Sequence, residues 1–477
     1  MTRRNPKSSG SNKNILRLTY FISAVFALMI GYMVWFIQIE SEDAVNNSYN
    51  ARLEHLSDQV IRGKILSSDN RILAETIVGE DGTEIRGYPY GPLFCHAAGW
   101  ATRGKTGIED LANFYLLTSH DNLTGKIIRE MMDEKDPGDN VVTTLDVDLQ
   151  QAAYVALGDR KGAVVAMEAD TGKILAMVSK PDFDPNQINE LWDSLVSGEQ
   201  GEGLLLNRAS QGIYPPGSTF KILTLLEYMR EHPADYQEFR FDCSGVYQQG
   251  DYIIRCYHGN AHGSQDISQC FANSCNGAFA YMGTLLNRDS MKKLAEGLLF
   301  NSELPLSIPY SKSTFVLDGQ SSEWEVLQTS IGQGGTQITP IHSLMITSAI
   351  ANGGVLMKPY LIDHVVSADG KNGKKFMPES YGSLMTAQEA GVLSAMMEKV
   401  VTEGTASALR TDAYRAAGKT GSAEFEKGKE SHAWFTGFAP AEDPKIAITV
   451  IVEEGGSGGR EAAPIARAVF DAYFGKQ

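Results

Sequence analysis

Hydrophobic residues form one long run near the N-terminus that contains no charged residue. The run covers residues 18–37, which is 20 residues. At about 1.5 Å per residue, a helix of this length would cross the hydrocarbon core of one bilayer. The charged residues that flank it, basic before and acidic after, are Arg3, Arg4, Lys7, Lys13, Arg17, Glu40, Glu42 and Asp43. This pattern predicts a cytoplasmic tail at 1–17, a single transmembrane helix at 18–38 and an extracellular location for the rest.

A cleaved signal peptide is the alternative interpretation of this run. The apolar region of a signal peptide is usually about 7–15 residues long and ends at a small-x-small cleavage site. The run here is longer, and no A-x-A sequence follows it. An uncleaved anchor is therefore favoured.

Beyond residue 39 the pattern changes to short β-type runs separated by turn signals. Residues 62–75 and 162–179 each contain two such runs around a turn and are predicted to be hairpins. Three further strands and a final helix are predicted at Ala416–Glu424, His432–Ala439, Lys445–Glu453 and Ala463–Phe474. The residues from about 205 to about 410 have a mainly helical pattern. This order predicts an α+β domain at 151–477 whose sheet takes strands from both ends of the segment, after a small module at 39–150.

Composition and charge narrow the function classes. The 477 residues allow two to four domains, and 43% hydrophobic with 21% charged residues is ordinary for a globular protein. A net charge of −16 argues against nucleic-acid binding, which needs a basic surface. The five cysteines form no C-x-x-C pair, and they are Cys95, Cys243, Cys256, Cys270 and Cys275.

Residues 214–221, YPPGSTFK, are the first candidate for catalysis. Ser218 lies where a helix is predicted to begin, and Lys221 lies three residues later on the same side of the first turn. A neutral lysine can accept the proton of a serine hydroxyl, and burial is what would lower the pKa of Lys221. The alternative is that Ser218 only caps the helix, which is a common role of serine.

Two further triplets follow along the chain. In the first, Ser274 and Asn276 flank Cys275, so that a hydroxyl and an amide would lie on one side of an extended segment. In the second, Lys419, Thr420 and Gly421 lie in a predicted strand, where glycine allows close approach to a substrate backbone. The same three residue types occur at 105–107 in the N-terminal module, where we interpret them as structural. Neither Lys-Thr-Gly is a phosphate-binding loop, because G-x-x-x-x-G precedes neither lysine.

The three triplets S-x-x-K, S-x-N and K-T-G occur together in this order in β-lactamases and penicillin-binding proteins. From about residue 62 onward the chain resembles the small class B penicillin-binding proteins, which are monofunctional peptidoglycan D,D-transpeptidases. Further similar segments are Arg62–Ile65, Gly162–Asn186, Asn207–Ala209, Ile331–Gly334, Ile338–Pro340, Ala351–Gly354, Gly404–Ala406 and His432–Phe435. The resemblance implies the transpeptidase fold, which is a five-stranded antiparallel sheet flanked by helices, with a helical subdomain.

The resemblance also implies catalytic roles. Ser218 would be acylated by the penultimate D-Ala of a stem peptide, which releases the terminal D-Ala. Lys221 would be the general base and Ser274 would shuttle the proton. The backbone N–H groups of Ser218 and Ser422 would form the oxyanion hole.

The remaining residues of the implied site would bind substrate. Asn276 would hold the substrate amide, while Lys419 and Thr420 would bind the carboxylate beside Gly421. The family more often has threonine at the position of Ser422. The hydroxyl is retained there, so we expect function to be retained.

Two cysteines, Cys243 and Cys256, bracket a predicted hairpin, and the sequence leaves open whether they form a disulfide. Together with His258 and His262 they superficially suggest a zinc site. The two cysteines are 13 residues apart rather than in a short C-x₂₋₄-C turn, and the resembled family is metal-independent. We therefore predict no metal and no cofactor, and we interpret Cys275 as a packing residue. His432 is interpreted as structural.

The leading hypothesis is an anchored D,D-transpeptidase that β-lactams acylate. A D,D-carboxypeptidase or β-lactamase with the same site, and a catalytically silent cell-wall scaffold, are the alternatives. The length leaves no room for a glycosyltransferase module, and the resemblance implies a SEDS-type glycosyltransferase partner in the membrane. The short N-terminal module favours the subgroup that acts in division or sporulation.

Overall fold

The computed structural model describes residues 10–36, 59–197, 203–371 and 373–475. The chain divides into two compact units, Met1–Gln59 and Val60–Gln477, which are described separately. Several flanking charges on which the predicted membrane orientation depends, including Arg3 and Glu40, lie outside the described residues.

In the first unit, the described residues 10–36 form a long helix, α1 (Gly10–Trp35). Its stretch from Lys13 to Trp35 is 23 residues, long and apolar enough to cross a membrane. The apolar side chains of this stretch are exposed within the unit; Leu28, for example, is 74% exposed. A helix that is apolar all round is typical of a membrane span, and it lies where the anchor is predicted.

The second unit contains all the strands described. These are β1 (Val60–Ile61), β2 (Ile65–Leu66), β3 (Ile72–Val78), β4 (Glu84–Gly87), β5 (Asp136–Pro137), β6 (Asn140–Thr143), β7 (Gly162–Glu168), β8 (Ile174–Lys180), β9 (Arg240–Cys243), β10 (Val246–Gln249), β11 (Tyr252–Arg255), β12 (Gly263–Asp266), β13 (Val355–Met357), β14 (Ile362–Val366), β15 (Gly373–Lys375), β16 (Ser380–Ser383), β17 (Ala417–Ala423), β18 (His432–Ala439) and β19 (Ile446–Val452).

The α-helices of this unit alternate with the strands. They are α2 (Cys95–Ala98), α3 (Gly107–Leu111), α4 (Asn113–Leu116), α5 (Leu123–Met132), α6 (Val147–Leu157), α7 (Ile188–Ser197), α8 (Lys221–Glu231), α9 (Ile267–Ala272), α10 (Asn276–Leu285), α11 (Arg288–Gly297), α12 (Glu323–Ser330), α13 (Pro340–Ala351), α14 (Ala387–Thr402) and α15 (Ala463–Phe474). Short 3₁₀ or π turns occur at Gly91–Phe94, Pro185–Gln187, Gly217–Phe220, Tyr236–Glu238, Tyr257–Gly259, Ser407–Leu409 and Gly458–Ala462.

The main sheet has five antiparallel strands in the order β17-β18-β19-β7-β8. It therefore joins the hairpin at 162–180 to the three C-terminal strands, as the sequence predicts. Every residue of β18 and β19 is buried, so both faces of the sheet are covered. The buried helix α13 packs on it, as do α6 and α15. The predicted fold class is confirmed, and the last helix has the predicted bounds.

A second sheet has six strands in the order β15-β14-β6-β2-β3-β4. The hairpin predicted at 62–75 is its β2–β3 pair. Strands β14 and β15 come from the segment after α13, and the sequence pattern did not predict them. They connect that segment to the N-terminal module, because β14 pairs with β6.

Smaller two-stranded pairs complete the second unit: β1–β5, β9–β12, β10–β11 and β13–β16. The β10–β11 pair is the hairpin that Cys243 and Cys256 were predicted to bracket. It lies beside α10, which begins at Asn276, the last residue of the S-x-N triplet.

Candidate active site

Ser218 lies in a 3₁₀ turn, Gly217–Phe220, that leads directly into α8. The capping residues of the two segments are Pro216 and Phe220, and neither cap uses a side-chain hydrogen bond. The alternative that Ser218 is only a helix cap is therefore wrong. Its hydroxyl oxygen instead accepts a hydrogen bond of 3.0 Å from Lys221 Nζ.

The turn Gly217–Phe220 packs against the segment at 331–334, which is one of the family signatures named from the sequence. Gly217 has a φ of +54°, a conformation that other residues rarely adopt. Its N–H donates to the carbonyl of Gly332 over 2.8 Å. A Cβ at Gly332 would lie 1.8 Å from the Gly217 oxygen, so only glycine allows this approach.

Lys221 is completely buried at the centre of the site. Its Nζ donates to Asn276 Oδ1 over 2.6 Å, and to the Ser274 carbonyl and hydroxyl oxygens over 2.8 Å and 3.2 Å. Burial lowers the pKa of Lys221 to about 8, because the charged form loses hydration. The amine is therefore partly neutral near physiological pH and contacts the hydroxyl of Ser218.

The S-x-N triplet forms a turn between α9 and α10. Ser274 has a φ of +53°, Cys275 caps α10 with its sulfur, and Asn276 is the first residue of that helix. The prediction of an extended segment here is wrong. The turn achieves the same result, since it directs both Ser274 and Asn276 to Lys221. A non-glycine residue in the left-handed region is typical of functional sites.

Strand β17 contains the third triplet, Lys419-Thr420-Gly421. Lys419 is completely buried, and its Nζ donates to Ser274 Oγ over 2.8 Å. Burial, and then the nearby Lys221, hold the pKa of Lys419 well below its usual value. The hydroxyls of Thr420 and Thr405 hydrogen-bond over 2.5 Å, which explains the signature at 404–406. Gly421 is crowded by Trp434 and Pro216, and Ser422 Oγ accepts from the Gly458 N–H over 3.4 Å.

The electrostatics of the site follow from these contacts. Ser274 Oγ connects the two lysines, and neither lysine forms an ion pair with a carboxylate within the described ranges. Ser218, Ser274 and Ser422 are only half-buried, whereas both amines are inaccessible. The site therefore presents hydroxyls at its surface and uncompensated positive charge behind them, which suits an anionic ligand with an electrophilic carbonyl.

Outside the site, the second Lys-Thr-Gly lies in the N-terminal module, as interpreted from its sequence. Lys105 is exposed, and Gly107 begins α3 against the Ala97 carbonyl. His432 accepts from the Glu454 N–H and stacks on Phe425 at 4.0 Å, which is a structural arrangement.

Glu453, which no sequence pattern singled out, supports the start of the serine motif. Glu453 Oε1 accepts from Arg208 Nε over 2.7 Å and from the hydroxyl of Tyr214 over 2.8 Å. Arg208 belongs to the signature at 207–209, but a single glutamate at the end of a strand carries no signal for its partners. Behind the site, Cys243, Cys256 and Cys275 form a cluster with His262.

Similarity to known protein families shows which family has this active site. The model of the penicillin binding protein transpeptidase domain matches residues 162–471. The chain belongs to this penicillin-binding protein family. The resemblance inferred from the three triplets is thereby confirmed. A second model, the penicillin binding protein A dimerisation domain, matches residues 62–142.

Individual members of the family support this assignment. The chain is 32% identical to peptidoglycan D,D-transpeptidase PbpA of Mycolicibacterium smegmatis over 446 residues, covering 86% of this chain and 88% of the relative. It is similar to a D,D-transpeptidase domain from Eggerthella lenta, with a TM-score of 0.79, 31% identity, and coverage of 88% and 99%. The ceftriaxone acyl-enzyme complex of penicillin-binding protein A from M. tuberculosis has the same TM-score, 29% identity and the same coverage.

Proposed function

We propose that this protein is an anchored peptidoglycan D,D-transpeptidase that crosslinks stem peptides through an acyl-enzyme on Ser218. The observation that carries the proposal is the 3.0 Å contact between Ser218 Oγ and Lys221 Nζ, an amine whose pKa burial lowers to about 8. A hydroxyl becomes a useful nucleophile at neutral pH when such a base lies within hydrogen-bond reach. Family membership gives the substrate class.

In the acylation step, Ser218 Oγ would attack the carbonyl carbon of the penultimate D-Ala. Lys221 would accept the hydroxyl proton, and a new ester bond would replace the D-Ala–D-Ala amide bond. The leaving amine needs a proton, and Ser274 contacts both lysines, so it can relay one. The backbone N–H groups of Ser218 and Ser422 would stabilise the oxyanion.

In the second step, the amine of an acceptor stem peptide would attack the ester. The ester C–O bond breaks, the crosslinking amide forms, and the proton of the amine returns to Ser218 through Lys221. Water in place of the amine would give hydrolysis, which is the D,D-carboxypeptidase alternative.

Substrate binding would use the remaining residues of the site. The terminal carboxylate would be the missing counter-charge for Lys419, with Thr420 as a hydroxyl donor beside Gly421. Asn276 would orient the substrate amide. β-Lactams would acylate Ser218 in the same way, by analogy with the acyl-enzyme complex of the M. tuberculosis relative.

We further propose the location and organisation of the protein. The apolar helix at the N-terminus supports a single-pass membrane anchor. The basic residues before it favour a cytoplasmic N-terminus at 1–17 and an extracellular transpeptidase domain at 151–477. The module at 39–150 and the membrane segment at 18–38 would contact a SEDS-type glycosyltransferase that supplies the glycan strands.

The test is a product analysis with the full chain in detergent. A donor stem pentapeptide ending in D-Ala-D-Ala and an acceptor stem peptide are incubated with wild type and with Ser218→Ala, and products are separated by mass spectrometry. A crosslinked peptide plus one released D-Ala, formed only by wild type, supports the proposal. Release of D-Ala without a crosslink would mean a carboxypeptidase, and no release would mean a silent scaffold.

A further inference from the structure

Four side chains that commonly bind metals meet directly behind the S-x-N turn. They are Cys243, Cys256, His262 and Cys275, and their ligand atoms all lie within 4.8 Å of one another. The three cysteines are buried, and His262 is half-buried. The sequence analysis grouped His258 with this set, but His258 is not part of it. Cys275 was interpreted as a packing residue, and it does belong to the set.

The spacing of the ligand atoms fits a tetrahedral metal ion. The Cys243 and Cys256 sulfurs are 3.6 Å apart, those of Cys256 and Cys275 are 3.8 Å apart, and Cys243 Sγ lies 3.3 Å from His262 Nδ1. With zinc bonds of about 2.3 Å to sulfur and about 2.0–2.1 Å to nitrogen, tetrahedral geometry requires about 3.8 Å between sulfurs and about 3.5 Å between sulfur and nitrogen. The side chains can therefore bind an ion with only small movements.

We propose that Cys243, Cys256, Cys275 and His262 bind one Zn²⁺ in a closed, structural site. The three thiols lose their protons to solvent, three Zn–S bonds and one Zn–N bond form, and no oxidant or reductant is needed. A set of three cysteines and one histidine is a common structural zinc site, and zinc prefers it to oxygen ligands. The prediction of no metal rested on two grounds, the metal-independence of the resembled family and the 13-residue separation of Cys243 and Cys256. That separation becomes short in space once β10 and β11 pair.

The surrounding strand pairs are small, and a bound metal would stabilise them. Strand pairs β9–β12 and β10–β11 have only two strands each, and two-stranded hairpins are marginally stable in water. Their apolar side chains are partly exposed; Tyr252 and Ile253 are 38% and 43% exposed. Zinc would join the end of β9, the residue after β11, the residue before β12 and the N-cap of α10, and would thereby link the two strand pairs to each other and to that helix.

The site also borders the catalytic residues. Cys275 lies between Ser274 and Asn276, and Asn276 Nδ2 donates to the carbonyl of Arg255, the residue before Cys256. Zinc bound to Cys256 and Cys275 would fix the turn that directs Ser274 and Asn276 to Lys221. The four ligands would thus position the S-x-N turn, while the metal would not touch substrate.

The experiment measures metal in the full chain, purified in detergent under reducing conditions. Wild type is expected to contain about one zinc per chain. After removal of zinc by a chelator, added Co²⁺ should give a thiolate-to-cobalt charge-transfer absorption. His262→Ala and Cys243→Ser should lose most of the zinc. The matched controls His258→Ala and Cys270→Ser change a neighbouring histidine and a buried cysteine outside the set, and should keep it.

The results that overturn the proposal do not depend on the folding of the variants. Wild type that contains no zinc after growth with zinc, and gives no charge-transfer absorption with Co²⁺, would contradict it. Alkylation of a second wild-type preparation, purified and unfolded without reductant in the presence of a chelator, should modify all five cysteines, and two protected cysteines would instead show a disulfide. Metal content is independent of the proposed transpeptidase activity, so either proposal can fail alone. If both hold, zinc removal slows acylation by benzylpenicillin several-fold and zinc addition restores it.

Discussion

At the scale of single residues, the site holds two buried lysines around one hydroxyl. Lys221 and Lys419 both donate to Ser274 Oγ. Burial lowers the pKa of each, and for Lys419 the charge of Lys221 lowers it further. The free site therefore favours a state in which one amine is neutral, and the anionic substrate then stabilises the charge of Lys419.

The first prediction concerns pH. Lys221 can accept the Ser218 proton only when it is neutral, so the rate of acylation by benzylpenicillin should rise with pH through a midpoint of about 8. The measurement is the acylation rate from about pH 6 to about pH 10. Lys221→Arg should be slower by about 10²–10⁴-fold and should lack this midpoint. A rate that does not change over this range would contradict the role of Lys221.

The second prediction separates the two Lys-Thr-Gly triplets. Lys419→Ala should lower the acylation rate by about 10²–10³-fold, because a charged group next to the carboxylate of the β-lactam is lost. Lys105→Ala changes the lysine of the second Lys-Thr-Gly triplet, at 105–107 in the N-terminal module. That lysine is exposed, so the variant should react with the β-lactam at the wild-type rate. Equal effects of the two substitutions on the acylation rate would contradict the assignment of carboxylate binding to Lys419.

At the scale of elements, the position of Ser218 depends on the turn Gly217–Phe220 and on Gly332. A third prediction follows, because a Cβ at Gly332 would lie 1.8 Å from the Gly217 oxygen and the φ there is +79°. Gly332→Ala should reduce acylation strongly and destabilise the protein by about 1–3 kcal/mol. Acylation rates and urea unfolding measure the two effects.

The control for this glycine is Gly391, which is exposed in α14 and where an added Cβ would meet no heavy atom within 4 Å. Gly391→Ala should stabilise the helix by up to about 1 kcal/mol and leave acylation unchanged. If Gly332→Ala behaves like Gly391→Ala, the glycine contact does not position the nucleophile.

The sequence predicts elements well where the signal is local. Four strands of the main sheet, β7, β8, β18 and β19, are mostly apolar runs, because helices cover both faces of the sheet. Their predicted bounds agree with the structure to within a few residues. The turn at Ser274 was predicted wrongly, since its left-handed backbone depends on the two helices that it joins. Strand β14 was missed because its pairing partner β6 is distant in sequence.

For the candidate site, the sequence predicted which residues take part but not most of the contacts between them. The order of three triplets identified Ser218, Lys221, Ser274, Asn276 and Lys419, and the structure brings them together. No sequence signal revealed the partners of Glu453. The sequence grouped Cys243, Cys256 and His262 as a superficial zinc set, but it included His258 and left out Cys275. The Glu453 contacts and the cysteine cluster both depend on contacts between segments that are far apart in the chain.

At the scale of the whole molecule, a buried charge cluster holds the N-terminal module together. Glu109 is fully buried and binds Arg62 and Arg86 at 2.7 Å each, and these arginine side chains are 11% and 7% exposed. Burial alone would raise the pKa of Glu109, but the two arginines outweigh it and lower the pKa. The cluster explains the Arg62–Ile65 signature.

The fourth prediction is that Glu109→Gln destabilises the protein by about 3–5 kcal/mol, because two buried arginines lose their counter-charge. Thermal unfolding of the full chain measures the effect. Glu75→Gln is the control, since Glu75 pairs with Lys64 where both side chains are partly exposed, and it should cost at most about 1 kcal/mol. Similar losses for the two variants would mean that the buried cluster has no special importance.

The most direct test of the central claim, that Ser218 is the acylated nucleophile, is an intact-mass measurement after incubation with benzylpenicillin. Wild-type full chain should gain one drug molecule, and a peptide map should locate it on Ser218. Ser218→Ala should gain none. A wild-type protein that stays unmodified while the drug is consumed would indicate a β-lactamase, and an adduct that persists in Ser218→Ala would contradict the account.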